Sequence, residues 1–342
     1  MDKFAKEFQE TLMNSLKDEL KNVQTNEEAE KIIKKYEKID VCAMYQDAIT
    51  SISTNIFSSM KETMYEEVMK FRADEQEFVA RQEQKWYKAF TASESLYIMS
   101  LECGESYGNY VSSLNDNVFI PNQWTFLALQ HIHGRALQIY LEIITLMKNG
   151  FADGAYSRWR SLYELSVIAS FIKKYGEDTA KSFVDAADTN ERYDWAKVCK
   201  DIKTNKKHIY FKDIENVSDL NITAWEDEYN LANQTIHASS QGTFGRLGKT
   251  GNDNVILAGR SDYGITVPGE HAAISLVQIS TMLFTIFPES DALIQSYIMN
   301  KWIDVIRETY FKSHDEIFPN DKKLWGNDCI EDNSDNDAKQ TP

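Results

Sequence analysis

Arg160 and Glu164 stand four residues apart in Ser157-Arg158-Trp159-Arg160-Ser161-Leu162-Tyr163-Glu164, so on a helix they share a face. The residues around them suit a core, where an unpaired charge is very costly. The pair therefore reads either as a structural bridge or as an anion-binding arginine held by its carboxylate. Arg158 adds a second cation in the same turn. His237 follows in Asn233-Gln234-Thr235-Ile236-His237-Ala238-Ser239, with the Ser239 hydroxyl two residues on. Placed at the end of a helix, its imidazolium is favoured by the helix dipole. It reads as a C-terminal cap or as a general acid/base.

Three further patterns compete with that cluster. Arg307 and His314 have an Arg-x6-His spacing, within the pattern of metal-independent ribonucleases of the HEPN type. There a histidine handles the proton of an RNA 2′-hydroxyl and an arginine stabilises phosphorane charge. Glu308 is not the polar residue usual after that arginine, and the pair is not taken as a site. His131 and His133 are two apart, which on a helix turns them to different faces and prevents chelation of one ion; no metal site is expected. The stretch Gly242-Thr243-Phe244-Gly245-Arg246-Leu247-Gly248-Lys249-Thr250 resembles a phosphate loop, but Thr243 occupies the required glycine place and no strand precedes it. A plain loop is the expectation, and no cofactor is expected.

The elements that must position these residues are helical. Phe4, Phe8, Leu12, Leu16, Leu20 and Val23 form one stripe, and Thr25-Asn26-Glu27-Glu28 reads as a capping box opening a second helix. A longer stripe follows through Ile49, Ile52, Ile56, Met60, Met64, Val68 and Phe71, with no strong breaker before Thr91-Ala92-Ser93. Residues 1–91 are thus read as a helical, coiled or dimerising arm through which the chain forms a homo-oligomer. Pro121 opens a helix closed by Lys148-Asn149-Gly150, and a second starts near Asp153 and runs to Tyr175-Gly176, so the two should pack as an antiparallel hairpin. Helices are expected over Glu177–Lys203, Thr223–Ser239, Pro268–Phe287 and beyond Pro288, with a loop or small hairpin at 240–269. The fold is an all-α multi-helix bundle, with its core at 92–325 and a disordered acidic tail at 326–342.

Only 5 prolines and 14 glycines occur, half of the glycines between Gly242 and Gly269, which favours helix elsewhere. The net charge of −16 argues against broad affinity for nucleic acid or anionic membrane, which needs a basic surface. No apolar stretch is long enough to span a bilayer. Cys42, Cys103, Cys199 and Cys329 are too scattered for a disulfide framework or zinc site, which with the charged N-terminus points to the cytoplasm.

His133-Gly134-Arg135-Ala136 through Asn149-Gly150-Phe151, then Ala155 to Glu164, and later Ile236-His237-Ala238-Ser239 resemble a bacterial domain-of-unknown-function family, number 5677 in that series. The family pairs an arginine-and-glutamate helix after a Leu-x-x-Gly turn with a later His-x-Ser motif. Arg160, Glu164, His237 and Ser239 match those places; Met147 stands for the leucine, Asn233 for an upstream serine and Ala238 for a proline. The resemblance covers about Trp124 to Phe287. It implies an all-helical fold and a shared polar cluster, and no settled activity.

Two functions follow as expectations. One is a non-catalytic interaction or ligand-sensing module, in phage defence or a stress response, whose polar cluster is a brace or a pocket. The alternative is a HEPN-like ribonuclease or toxin acting on RNA, with His237 as acid/base, Arg160 as electrophilic stabiliser and Glu164 positioning it.

Overall fold

The computed structural model describes residues 3–190, 192–202, 207–220, 225–236, 239–251 and 255–325. The expected acidic tail at 326–342 lies outside the described residues. Those that are described form helices α1 (Lys3–Lys21), α2 (Asn26–Glu37), α3 (Val41–Lys85), α4 (Tyr87–Ser112), α5 (Asp116–Phe119), α6 (Gln123–Lys148), α7 (Ala152–Tyr175), α8 (Glu177–Asp185), α9 (Phe211–Glu215), α10 (Glu226–Ile236), α11 (Ser240–Phe244), α12 (Thr266–Phe284) and α13 (Ser290–Ile317), with no strand among them. The protein is all-α. No described helix is long and apolar enough to cross a membrane. The chain divides into two compact units, Met1–Gln76 and Glu77–Pro342, with the division inside α3.

In the first unit α1 and α2 pack on each other. Thr25 caps α2 by accepting the Glu28 N–H at 3.4 Å, while the Glu28 carboxylate reaches back to the Gln24 N–H at 3.3 Å, one residue earlier than a standard capping box. Glu19 ties the two helices together, accepting from Lys35 Nζ at 2.9 Å and from the Tyr36 hydroxyl at 3.1 Å. From Ser51 to Asp74 every residue of α3 is exposed.

In the second unit the expected hairpin of α6 and α7 forms. Its turn is a Schellman motif: Gly150 N–H donates to Met147 O at 3.0 Å and Phe151 N–H to Leu146 O at 2.9 Å. Gly150 has φ +76, and a Cβ there would lie 2.6 Å from the Phe78 ring and 2.8 Å from the Ser261 carbonyl, so backbone conformation and space both demand glycine. α12 fills the centre and packs against α4, α6, α7 and α13. Its Ala272, Ala273, Leu276, Val277, Ile279, Leu283 and Phe284 are all buried, as befits a helix packed on by four others. Pro268 sits in its first turn, where no ladder N–H is required. Glu177 at the start of α8 caps α6, accepting from the Trp124 and Thr125 N–H groups at 3.1 and 2.8 Å.

Three expected elements differ. The stretch at 240–269 opens with the short helix α11, capped by Ser239, and forms no hairpin among the described residues. The helix expected over Glu177–Lys203 stops at Asp185, followed by short 3-10 turns at Ala186–Asp188 and Asp194–Val198. Thr189 turns extended, with φ −104 and ψ 160, and its hydroxyl takes the Ala186 carbonyl that a continuing helix would use. The long N-terminal helix does not run to Thr91: it breaks at Trp86, whose φ of −104 and ψ of 17 turn a fully buried indole toward Tyr310 and Phe318.

Candidate functional site

α7 carries Tyr156, Trp159, Arg160, Tyr163 and Glu164 at helical spacing, and it packs against α9, α10 and α12. The Trp159 indole N–H donates to Ser275 Oγ of α12 at 3.1 Å, which fixes the rotation of α7. At the next residue, the Arg160 guanidinium meets the Glu164 carboxylate, Nη2 to Oε1, at 2.9 Å. Tyr229 of α10 completes a triangle: its hydroxyl donates to Glu164 Oε1 at 2.8 Å and accepts from Arg160 Nε at 3.4 Å. Among the described residues neither contact of Arg160 uses Nη1. Burial, the largest influence on Arg160, opposes its charge, but Tyr229 and Glu164 outweigh it and hold its pKa above the usual value. Burial pushes the Tyr229 phenol well up, with Arg160 opposing and Glu164 adding to the rise. Tyr229 is therefore a hydrogen-bonding group at neutral pH, not a proton shuttle.

This triangle forms one wall of a cavity of about 410 Å³. Phe211 and Tyr193 face it with ring centroids 6.2 Å apart, and Phe211 stands 5.6 Å from the Tyr229 ring. Arg192 lies over the Tyr193 ring at 5.1 Å. At the floor, Glu215 is 2% exposed, accepts from the Tyr163 hydroxyl at 2.8 Å and pairs with Lys212 Nζ at 3.0 Å. The Lys212–Glu215 hydrogen bond is the main cause of a raised Lys212 pKa. The arrangement has flat aromatic walls, both signs of charge and an open mouth, which suits recognition of a small polar ring system.

The other candidates go elsewhere. Arg158 turns to the far side of α7 and pairs with Glu142 of α6, so it does not line this cavity. Ser239 caps α11, its Oγ accepting the Gly242 N–H at 3.1 Å. Asn233 is half-buried on α10, one turn after Tyr229. His237 lies outside the described residues. Arg307 is committed to Glu270 at 2.5 Å, whereas His314 is buried against the rings of Tyr263 and Phe318. His131 is exposed and His133 buried, as their two-residue spacing requires. The glycine loop is held by Asp153: its carboxylate accepts the Leu247 and Gly248 N–H groups at 2.8 and 3.4 Å, taking backbone donors that a phosphate would need.

Sequence reasoning missed Tyr229 and His271. Tyr229 sits in Glu226-Asp227-Glu228-Tyr229-Asn230, where the acidic run reads as the solvated first turn of a helix. His271 stands in the first turns of the largely apolar α12, and its ring lies 5.0 Å from Trp159, 5.0 Å from Trp225 and 6.1 Å from Tyr156. Its Nδ1 is buried with no hydrogen-bond partner among the described residues. Burial lowers its pKa, opposed by Glu228 and Glu270.

Residues 126–219 match the model of DUF5677, a family of unknown function. The matched segment runs from α6 through α9, so it contains Arg160, Glu164, Tyr163 and Glu215. It ends before α10, leaving Tyr229, Asn233 and the His237–Ser239 pair beyond it. No curated protein and no solved structure matches the chain.

Proposed function

We propose that the protein is a non-catalytic ligand-sensing module whose second unit binds a small, flat, ring-containing anion between α7, α9 and α10. The observation that carries this reading is the mutual hold of Arg160, Glu164 and Tyr229 on the wall of an aromatic-lined cavity. A guanidinium fixed on two sides is pre-organised to offer its remaining edge to a carboxylate or phosphate oxygen, and the rings of Phe211, Tyr193 and Tyr229 supply stacking surface. Glu164 then sets orientation, and Arg192 and Lys212 add positive charge at the rim.

Thermal shift of the full chain with adenosine monophosphate and with benzoate, at equal ionic strength, tests the reading. A ligand that binds only the folded state raises the melting temperature in proportion to saturation. We expect a rise with at least one probe that is lost in Arg160→Ala and reduced in Phe211→Ala. Absence of any rise, or an equal rise in Arg160→Ala, overturns it. The ribonuclease alternative is tested separately by total RNA integrity in cells. Under the sensing reading RNA stays intact with wild type and His237→Ala alike; cleavage by wild type that a folded His237→Ala lacks would replace it.

A further inference from the structure

The exposed part of α3 presents Ile52, Ile56, Met60, Met64, Val68 and Phe71, between 43% and 63% exposed, on one continuous line. A run of apolar side chains of this length left in water marks an interaction surface. With half-buried Ile49 the steps along the line are 3, 4, 4, 4, 4 and 3 residues, so Ile49, Met60 and Phe71 are each eleven apart. An eleven-residue period gives 3.67 residues per turn, close to a straight helix, so Ile49, Met60 and Phe71 share one face over about 33 Å at 1.5 Å per residue.

The spacing is also a palindrome centred on Met60. We infer that α3 pairs antiparallel with α3 of a second copy of this chain, about a two-fold axis at Met60. In that pairing Met60 meets itself and Ile49 meets Phe71 at the centre of the seam, with Ile56 and Met64 side by side between them and Ile52 and Val68 on its two edges. This self-complementarity is what a two-fold interface requires.

Charge selects the same arrangement. Lys61, Glu62, Glu66, Glu67, Lys70 and Arg72 all lie on the C-terminal side of Met60, while the mirror positions are Ser59, Ser58, Thr54, Ser53, Thr50 and Ala48. Antiparallel pairing sets each charge beside a small uncharged residue. Parallel pairing would set Glu66 and Glu67 beside their own copies, which repels. Phe57, Tyr65 and Met69 each follow a residue of the line by one. Phe57, about 60° round the helix from Met60, is covered at the edge of the seam across the two-fold axis, whereas Tyr65 and Met69 lie about 140° and 180° round and stay outside the contact.

Single-cysteine cross-linking decides the case, in full-length chain carrying Cys42→Ser and Cys329→Ser; Cys103 and Cys199 are buried. Met60→Cys should form an interchain disulfide under mild oxidation, because the axis residue meets itself. Phe71→Cys should not, yet an equimolar mixture of Phe71→Cys and Ile49→Cys chains should cross-link as heterodimer. Self-linkage of Phe71→Cys as efficient as that of Met60→Cys means a parallel pair and overturns the proposal. In sedimentation, wild type should have twice the chain mass and Ile56→Glu with Met64→Glu the mass of one chain, with unchanged helical circular dichroism. A monomeric wild type, or a dimer that survives the double substitution, also overturns it.

Discussion

α12 has a histidine-bearing neighbourhood on each side, and the two are built oppositely. Toward α4 and α6, His133 is 4% exposed, its Nε2 lies 3.0 Å from Ser100 Oγ, and Ser100 lies 2.9 Å from Ser280 of α12. Gly104 makes room for the ring: a Cβ there would be 2.9 Å from Cε1. Toward α7 and α10, His271 has aromatic neighbours on three sides and an Nδ1 without a partner among the described residues, with the Tyr156–Glu228 and Glu270–Arg307 pairs close by. A buried polar group in a closed, satisfied network specifies one packing and resists change. Charged pairs, an unpartnered nitrogen and an open cavity occupy the other side, where a ligand can alter contacts without dismantling the core. The difference separates the part of the bundle that sets the structure from the part that can respond.

Trp159 joins the two sides, since its indole is fully buried, bonds Ser275 of α12 and stacks on Tyr156 at 5.2 Å. Trp159→Ala should have the largest effect, a loss of about 3–5 kcal/mol in urea unfolding, together with loss of the cavity beside Arg160. A smaller loss than any conservative core substitution would mean that the two sides fold independently.

The next effect is pH dependence. Burial lowers the His133 pKa from 6.5 to about 4 in the folded protein. Because the folded value is the lower one, the unfolded chain takes up the proton first. Stability is full above pH 6.5, falls as pH drops toward 4, and loses nothing more from this group below that. The loss is about 3 kcal/mol. His133→Leu should remove that part of the slope between pH 6.5 and 4, read as denaturant midpoint against pH. If the slope is unchanged, the protonation that matters lies on the His271 side.

The sequence made the fold legible where periodicity was strong. Apolar stripes and the Asn149-Gly150 turn located α6 and α7, and the i, i+4 spacing located the Arg160–Glu164 pair. Apart from α10, the short elements between α8 and α12 were not legible, because Thr189, Asp213 and Ser239 bond neighbouring backbone there and start or stop helices without changing composition. Tyr229 was hidden for a different reason. It reaches Arg160 across 69 residues of chain, and no local pattern encodes a contact closed by tertiary packing. Asp153 was hidden likewise: a first-turn acid on α7 serves as the anchor of a loop more than 90 residues later.

The smallest effect is the most discriminating. Ser100→Ala and Tyr229→Phe each delete one hydroxyl, the first from the closed side of α12 and the second from the open side. Removing Ser100 Oγ leaves His133 Nε2 and Ser280 Oγ buried with one partner fewer, at about 1–3 kcal/mol. Removing the Tyr229 hydroxyl leaves Arg160 and Glu164 still paired with each other and partly reached by water, so the loss should be about 0.5–1 kcal/mol. The order should reverse for binding: Tyr229→Phe should weaken the anion probe by freeing the guanidinium to rotate, and Ser100→Ala should leave that affinity unchanged. Parallel unfolding and titration curves on the two variants read both orders. If Tyr229→Phe is the more destabilising and binds as wild type does, the Arg160–Glu164–Tyr229 triangle is a brace like the His133 network, and the contrast between the two sides of α12 disappears.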